Sequence, residues 1–334
     1  MSSRADILSL LNGSKLSSPP AFSGLIHVTE EGLQSEGLAL HEAHHDAGKM
    51  ARAAASTFKL TGMPSATLPL DFSSPAEALG AELNFYENEL QFPQVKKLLF
   101  MSSREVASLP ADLDVINMGR IPVICDAIRQ VKDAIGNQAV ISGLIPGPYT
   151  LLIYICKAQN LFDEMKKEPQ VVLDTLVHLS SFLSKIGNAY RKAGADFITI
   201  HEMGGSPGFI GPAKFEQFVL PALKRLHASL PSPRVLSVCG NTNKSMSALA
   251  ESGADAISVD QLNDLAASRE VLKDTMLFGN IDPVATLWKG DEAEVAESTR
   301  RAKEAGVDAV WPGCDLVPST PIRNLKAMQT FRRL

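Results

Sequence analysis

The sequence predicts a single (β/α)8 TIM barrel, preceded by a short N-terminal extension, with its active site at the C-terminal ends of the strands. Three observations lead there. Short apolar, β-branched runs alternate with longer amphipathic stretches to the end of the chain, as parallel strands buried on both faces and covered by helices require. Eight such runs occur, at 22–28, 66–70, 139–145, 197–201, 234–239, 256–259, 276–280 and 309–311. One phrase also recurs three times just ahead of a run: AGADFITIH at 193–201, SGADAISVD at 252–260 and AGVDAVWPG at 305–313. In each, glycine is placed to cap a helix in the left-handed conformation and aspartate to begin the strand. A repeated αβ turn favours a barrel of βα units over an open doubly wound sheet.

The elements follow in order. Residues 1–20 form the extension, with a helix over 4–11 and a proline-rich lead-in, and 21–334 form the barrel. After the second run, 78–104 reads as a loop or hairpin excursion. The stretch 215–229 carries apolar residues at Phe215, Phe218, Val219, Ala222, Leu223 and Leu226, a helical stripe. No G-x-G-x-x-G follows a strand and no Walker motif is present, so neither a dinucleotide nor a P-loop fold is supported.

Composition narrows the function. With 334 residues, 45% hydrophobic and 21% charged, the chain has a globular balance, and a barrel of this length forms one domain. The net charge of −5 and basic runs no longer than pairs such as Lys166–Lys167 and Arg332–Arg333 argue against nucleic-acid binding. No N-terminal apolar core suits a signal peptide and no window suits a membrane span. Four cysteines then read as free thiols or metal ligands, and the expected location is cytoplasmic.

In a barrel the chemistry lies in the loops that follow the strands. Reading those loops gives Asp71, then Pro146–Thr150 with Tyr149, then His201, Glu202 and a GGSPG loop containing Gly205 and Ser206. Beyond these come Cys239 with Asn241, Asp260 with Gln261, Asn280 with Asp282, and Cys314 with Asp315. Two cysteines among these groups suggest a catalytic zinc site with an open position, although buried free cysteine is also common in cores. Cys125 and Cys156 fall in helices and read as core. The GGSPG loop suits an anion cradle or a tight turn. His41, His44 and His45 have helical spacing, and a solvated face is the expected reading ahead of a metal site.

At these residues a resemblance enters. The phrases SVCGN (237–241), ISVDQ (257–261), LFGNIDP (277–283) and WPGCDLVPSTPIRNLKAM (311–328) resemble the methylcobalamin:coenzyme M methyltransferases. These form a corrinoid-dependent branch of the uroporphyrinogen decarboxylase superfamily. The resemblance is looser upstream, through HEAHHDAGKMA (41–51), LPLDFSSPAEALGAE (68–82) and SGLIPGPYTLL (142–152). It implies methyl transfer between methylcobalamin, carried on a corrinoid protein, and a small-molecule thiol or pterin acceptor. It also implies zinc held by Cys239 and Cys314, and it allows a homodimer.

Two positions depart from that family's pattern. Ser237 stands where its H-x-C motif has histidine, and Gln261 stands where a zinc-binding glutamate is expected. His201, at the end of the preceding strand, is a replacement ligand, with Glu202 as ligand or supporting group; alternatively the pair acts as acid and base. Asp71, His201, Glu202 and Asp282 are expected to position the acceptor or handle protons. Tyr149, Tyr154, Gly205, Ser206, Asn241, Gln261 and Asn280 are expected to bind substrate. Asp71 and Tyr154 also fall where decarboxylases place an aspartate and a tyrosine. The arginine-rich signature of those enzymes is absent, and the first 100 residues contain only Arg4 and Arg52. A tetrapyrrole decarboxylase and a non-catalytic corrinoid- or tetrapyrrole-binding barrel are the competing readings.

Overall fold

Seven parallel strands make one curved sheet, in the order β1 (Ser65–Leu68), β4 (Val140–Pro146), β5 (Phe197–His201), β6 (Arg234–Val238), β7 (Ala256–Val259), β8 (Met276–Ile281) and β9 (Ala309–Pro312). The remaining pair, β2 (Leu83–Asn84) and β3 (Gln94–Val95), is an antiparallel hairpin inside the excursion. The computed structural model describes residues 3–87, 89–110 and 112–330. The Arg332–Arg333 pair and the outermost ends of both segments assigned from sequence lie outside the described residues. Helices cover the outside of the sheet, with Ala47–Thr61 packed on Ile121–Ile135 and Pro169–Ala193 on Leu220–Ala228.

The first run is a correction. Residues 22–28 do not form a regular strand, and only Ala21 bridges to Val310. The segment still closes the ring. Phe22 N donates to Val310 O at 3.3 Å on one flank, and Ser23 N donates to Ser65 Oγ at 3.0 Å on the other. The ladder is lost because the chain dips into the barrel at Gly24. A Cβ there would lie 2.3 Å from Thr199 Oγ1, 2.6 Å from Trp311 and 2.7 Å from Phe197. Only glycine fits so close an approach.

The bottom of the barrel is plugged by the extension. Ile7, Leu10 and Leu11 of helix Arg4–Leu11 share one buried cluster with Phe22, Val140, Phe197, Val235, Ala256, Phe278, Ala309 and Trp311. Each large apolar side chain buried there contributes about 1.5–3 kcal/mol. Ser3 and Asp6 cap that helix reciprocally, and Arg4 Nη2 donates to Asp196 Oδ1 at 2.7 Å.

The thrice-repeated phrase is one thrice-repeated contact. Asp196, Asp255 and Asp308 each donate a backbone N–H to a residue of the preceding strand: Ile141, Arg234 and Leu277 respectively. Each carboxylate accepts the N–H of that same residue, at 2.9, 2.7 and 2.8 Å. Gly194, Gly253 and Gly306 all have positive φ. This doubled bond sets the relative height of adjacent strands, and so which side chains meet at the opposite end.

Candidate metal centre at the barrel mouth

Strand register brings the site together. His201 is the Cα partner of Ser237 across β5 and β6, and Cys239 lies two residues beyond Ser237 on the same side of the chain. His201 Nε2 is 3.0 Å from Cys239 Sγ and 3.8 Å from Cys314 Sγ. The two sulfurs, 75 residues apart in sequence, are 2.8 Å apart. His201 is fully buried and both cysteines are half-buried. Because β5 and β6 are level here, the side chains of His201 and Ser237 leave the sheet next to each other. Ser237 Oγ, by contrast, is buried without a hydrogen-bond partner.

The donor set fits a metal. His201, Cys239 and Cys314 place their ligand atoms within 4.8 Å of one another, and one nitrogen with two sulfurs is a catalytic zinc set that leaves a fourth position. The other imidazole nitrogen, Nδ1, lies 3.3 Å from Asp315 Oδ2. Asp315 is itself anchored, since Ile26 N donates to its Oδ1 at 2.7 Å. A carboxylate behind a histidine fixes the ring and raises its strength as a ligand.

Electrostatics favour a thiolate. The hydrogen bond from Cys239 pushes the Cys314 thiol down, with help from His201 and against burial, while Cys239 is pushed up by Cys314 and by burial. The first proton leaves the pair easily and the second does not. Burial alone would lower His201, but the carboxylate of Asp315 and the Cys314 sulfur hold it at about 10. A divalent cation replaces those protons with a fixed charge.

Other residues named from sequence are hydrogen-bonded within the strand-end loops. Glu202 is fully buried and accepts from Tyr149 N at 3.1 Å, Thr150 N at 2.9 Å, Gly205 N at 2.9 Å and Thr150 Oγ1. Its carboxylate ties the β4 loop to the β5 loop and stands outside the ligand cluster. Ser206 Oγ donates to Cys239 O, so the GGSPG loop braces the cysteine. Asp260 accepts from Gly240 N and from Leu262 N, and Asn280 Nδ2 donates to Asp260 O at 3.1 Å. Asp282 caps the turn Pro283–Trp288, accepting from Val284 N and Ala285 N, both at 2.8 Å. Asn241 and Gln261 are exposed; Asn241 Oδ1 accepts from Asn243 N at 3.2 Å, and Gln261 lies beside Gly313.

Tyr149 and Tyr154 part company. Five residues along a helix turns a side chain by about 140°. Tyr154 therefore borders the mouth, while Tyr149 is buried in the helical layer with its hydroxyl 3.5 Å from Met165 Sδ.

Asp71 lies in a charge cluster that the sequence did not disclose. Arg120 Nη1 donates to Asp71 Oδ2 at 3.0 Å and its Nε to Glu77 at 2.7 Å. Asp71 Oδ1 accepts from Ser73 N at 2.8 Å and Ser74 N at 2.9 Å. His44 Nδ1 is 3.4 Å from Asp71, and both side chains are fully buried. His44 is therefore not on a solvated face, whereas His45 lies against Phe85. Burial pushes the Asp71 carboxyl up, but Arg120 and His44 outweigh it and hold it well below the usual range.

A parallel-stranded barrel whose mouth gathers an imidazole and two thiols offers a donor set for thiolate or metal chemistry. The chain belongs to the uroporphyrinogen decarboxylase (URO-D) family, whose profile matches residues 2–333. A methylcobamide:CoM methyltransferase MtaA of Methanosarcina barkeri is 30% identical over 98% of this chain and 96% of its own. A methylcobamide:CoM methyltransferase MtbA of Methanosarcina acetivorans is 30% identical over 90% of this chain and 88% of its own. A solved methyltransferase from Methanosarcina mazei superposes with a TM-score of 0.92 at 28% identity, covering 97% of this chain and 96% of that one. A uroporphyrinogen decarboxylase of Thermodesulfovibrio yellowstonii is 28% identical over 70% of this chain and 68% of its own.

Proposed function

We propose that this chain transfers a methyl group from a corrinoid, carried on a partner protein, to a thiol activated at zinc held by His201, Cys239 and Cys314. The convergence of those three donors, with Asp315 behind the imidazole, carries the proposal. Zinc supplies one thing when bound: it lowers the pKa of an added thiol so that a thiolate is present at neutral pH. The protein then orients that sulfur toward the methyl carbon. A sulfur–carbon bond forms, the carbon–cobalt bond breaks with its electron pair left on cobalt, and the thiol proton departs to solvent. The β5 and β6 loops, pinned by Glu202, Ser206 and Asp260, keep the ligands in place during that displacement.

A thiol suits a sulfur-bearing site better than a pterin, and the relatives that match along the chain are named for coenzyme M or methylated thiols. A tetrapyrrole decarboxylase is disfavoured by charge. Arg4 lies at the opposite end of the barrel on Asp196, Arg52 pairs with Glu36 on the surface, and Arg120 is held by two carboxylates. The test incubates zinc-loaded protein with free methylcobalamin and thiols, following the loss of methylcobalamin absorbance and the thioether by mass spectrometry. Thioether formation that disappears in Cys314→Ser is the expected result. Methylcobalamin that stays intact with every thiol would overturn the proposal.

A further inference from the structure

Beside the metal centre lies a cavity of about 680 Å³. Its lining includes Phe72, whose ring meets His201 edge-on at 5.1 Å between centroids. Met203, next but one to His201, Tyr154, Pro318 from the loop after β9, and Phe92 and Pro93 of the excursion also line it. The lining stops short of His201, Cys239 and Cys314 and meets their cluster through Phe72 and Met203.

No described residue lining the cavity carries a charge. The polar side chains on its wall are mostly engaged. Ser73 Oγ donates to Pro93 O at 2.6 Å, Gln91 Nε2 to Glu89 at 2.6 Å, and Tyr86 Oη to Gln94 at 3.2 Å. The nearby buried ionic groups are of the wrong sign for an anion or are already paired. Asp315 and Glu202 are carboxylates, and Arg120, 5% exposed, is clasped by Asp71 and Glu77. An anion brought here would find no counter-charge among the lining residues. Coenzyme M, named for the relatives above, is a short thiol with a sulfonate tail.

Resting on thiol methylation as proposed above, we infer that this cavity selects an uncharged thiol with an apolar body over a sulfonate-tailed one. The sulfur points toward His201 and the cysteines, and the body lies between Phe72, Phe92 and Met203. Aromatic and thioether side chains suit such a body. Specificity then comes from the missing cation as much as from contact.

Two methyl thioethers of matched length separate the cases, because they bind without reacting. Calorimetry on the full zinc-loaded chain compares methyl propyl sulfide with 2-(methylthio)ethanesulfonate. The neutral ligand is expected to bind at least about tenfold more tightly, and Leu98→Lys, which adds a cation at the exposed edge, is expected to narrow that ratio. Equal or tighter binding of the sulfonate, no binding of either, or a ratio untouched by Leu98→Lys would overturn the inference. Methyl transfer from free methylcobalamin to 1-propanethiol and to 2-mercaptoethanesulfonate is run alongside. Preferred turnover of the sulfonate overturns the inference while methyl transfer to thiols stands. Failure of both thiols to react, with the binding preference intact, removes the methyltransferase reading and leaves an uncharged-ligand site.

Discussion

Asp315 Oδ2 stands 3.3 Å from His201 Nδ1, on the side of the ring away from both cysteines. The residue that follows Cys314 thereby orients an imidazole supplied by another strand. Asp315→Asn keeps the shape and removes the charge. Zinc affinity, measured by competition with a chromogenic chelator, is expected to fall by about 10–100-fold. Unchanged affinity would show that the carboxylate does not act through the imidazole.

Ser237 gives the opposite kind of test. Its hydroxyl is buried and unpartnered, so Ser237→Ala removes an unsatisfied group. Chemical denaturation should show stability unchanged or raised by up to about 1 kcal/mol, with zinc content unaltered. Loss of zinc in Ser237→Ala would place the hydroxyl among the ligands.

Asp71 is assigned to holding the mouth together. Asp71→Asn leaves Arg120 buried beside one carboxylate in place of two, and a loss of about 3–5 kcal/mol is expected from breaking such a pair. The sign with pH follows from the depressed carboxyl. Its contribution is complete above the ordinary aspartate value of about 4, and is lost as pH falls through the lower folded value. Denaturation of the wild type and Asp71→Asn should therefore differ most above that value and converge in acid. A variant as stable as the wild type but without activity would move Asp71 into the chemistry.

Glu202→Ala removes the acceptor of three backbone N–H groups and the Thr150 hydroxyl. A drop of about 3 kcal/mol or more is expected from these stranded donors, together with faster hydrogen exchange at Tyr149, Thr150 and Gly205. Full stability with loss of activity alone would instead support the acid–base role considered from sequence.

Much of the barrel was legible because its signals are local. The apolar runs from 66 onward became strands within a few residues, and the Gly–x–Asp phrase became a repeated strand-start contact. The first run failed because Gly24 carries the chain inward to meet Trp311 and Thr199, a long-range packing event that no local pattern encodes. The His201–Cys239–Cys314 cluster was half legible: cysteines at strand ends could be read, and the level register of His201 and Ser237 accounts for the imidazole that joins them. Arg120 was not, since it lies at the start of a helix with no strand-end signal, and it meets Asp71 only through folding. Asp282 Oδ1 caps the turn that follows it and Asn280 Nδ2 tethers the loop after β7, roles that no strand-end pattern encodes.

Zinc analysis by mass spectrometry, on protein purified without chelator, tests the centre most directly. About one zinc per chain is expected for a three-ligand site of this kind, falling away in both Cys239→Ser and Cys314→Ser. Less than about 0.1 zinc per chain, or full zinc in both variants, would contradict the assignment of His201, Cys239 and Cys314 as its ligands.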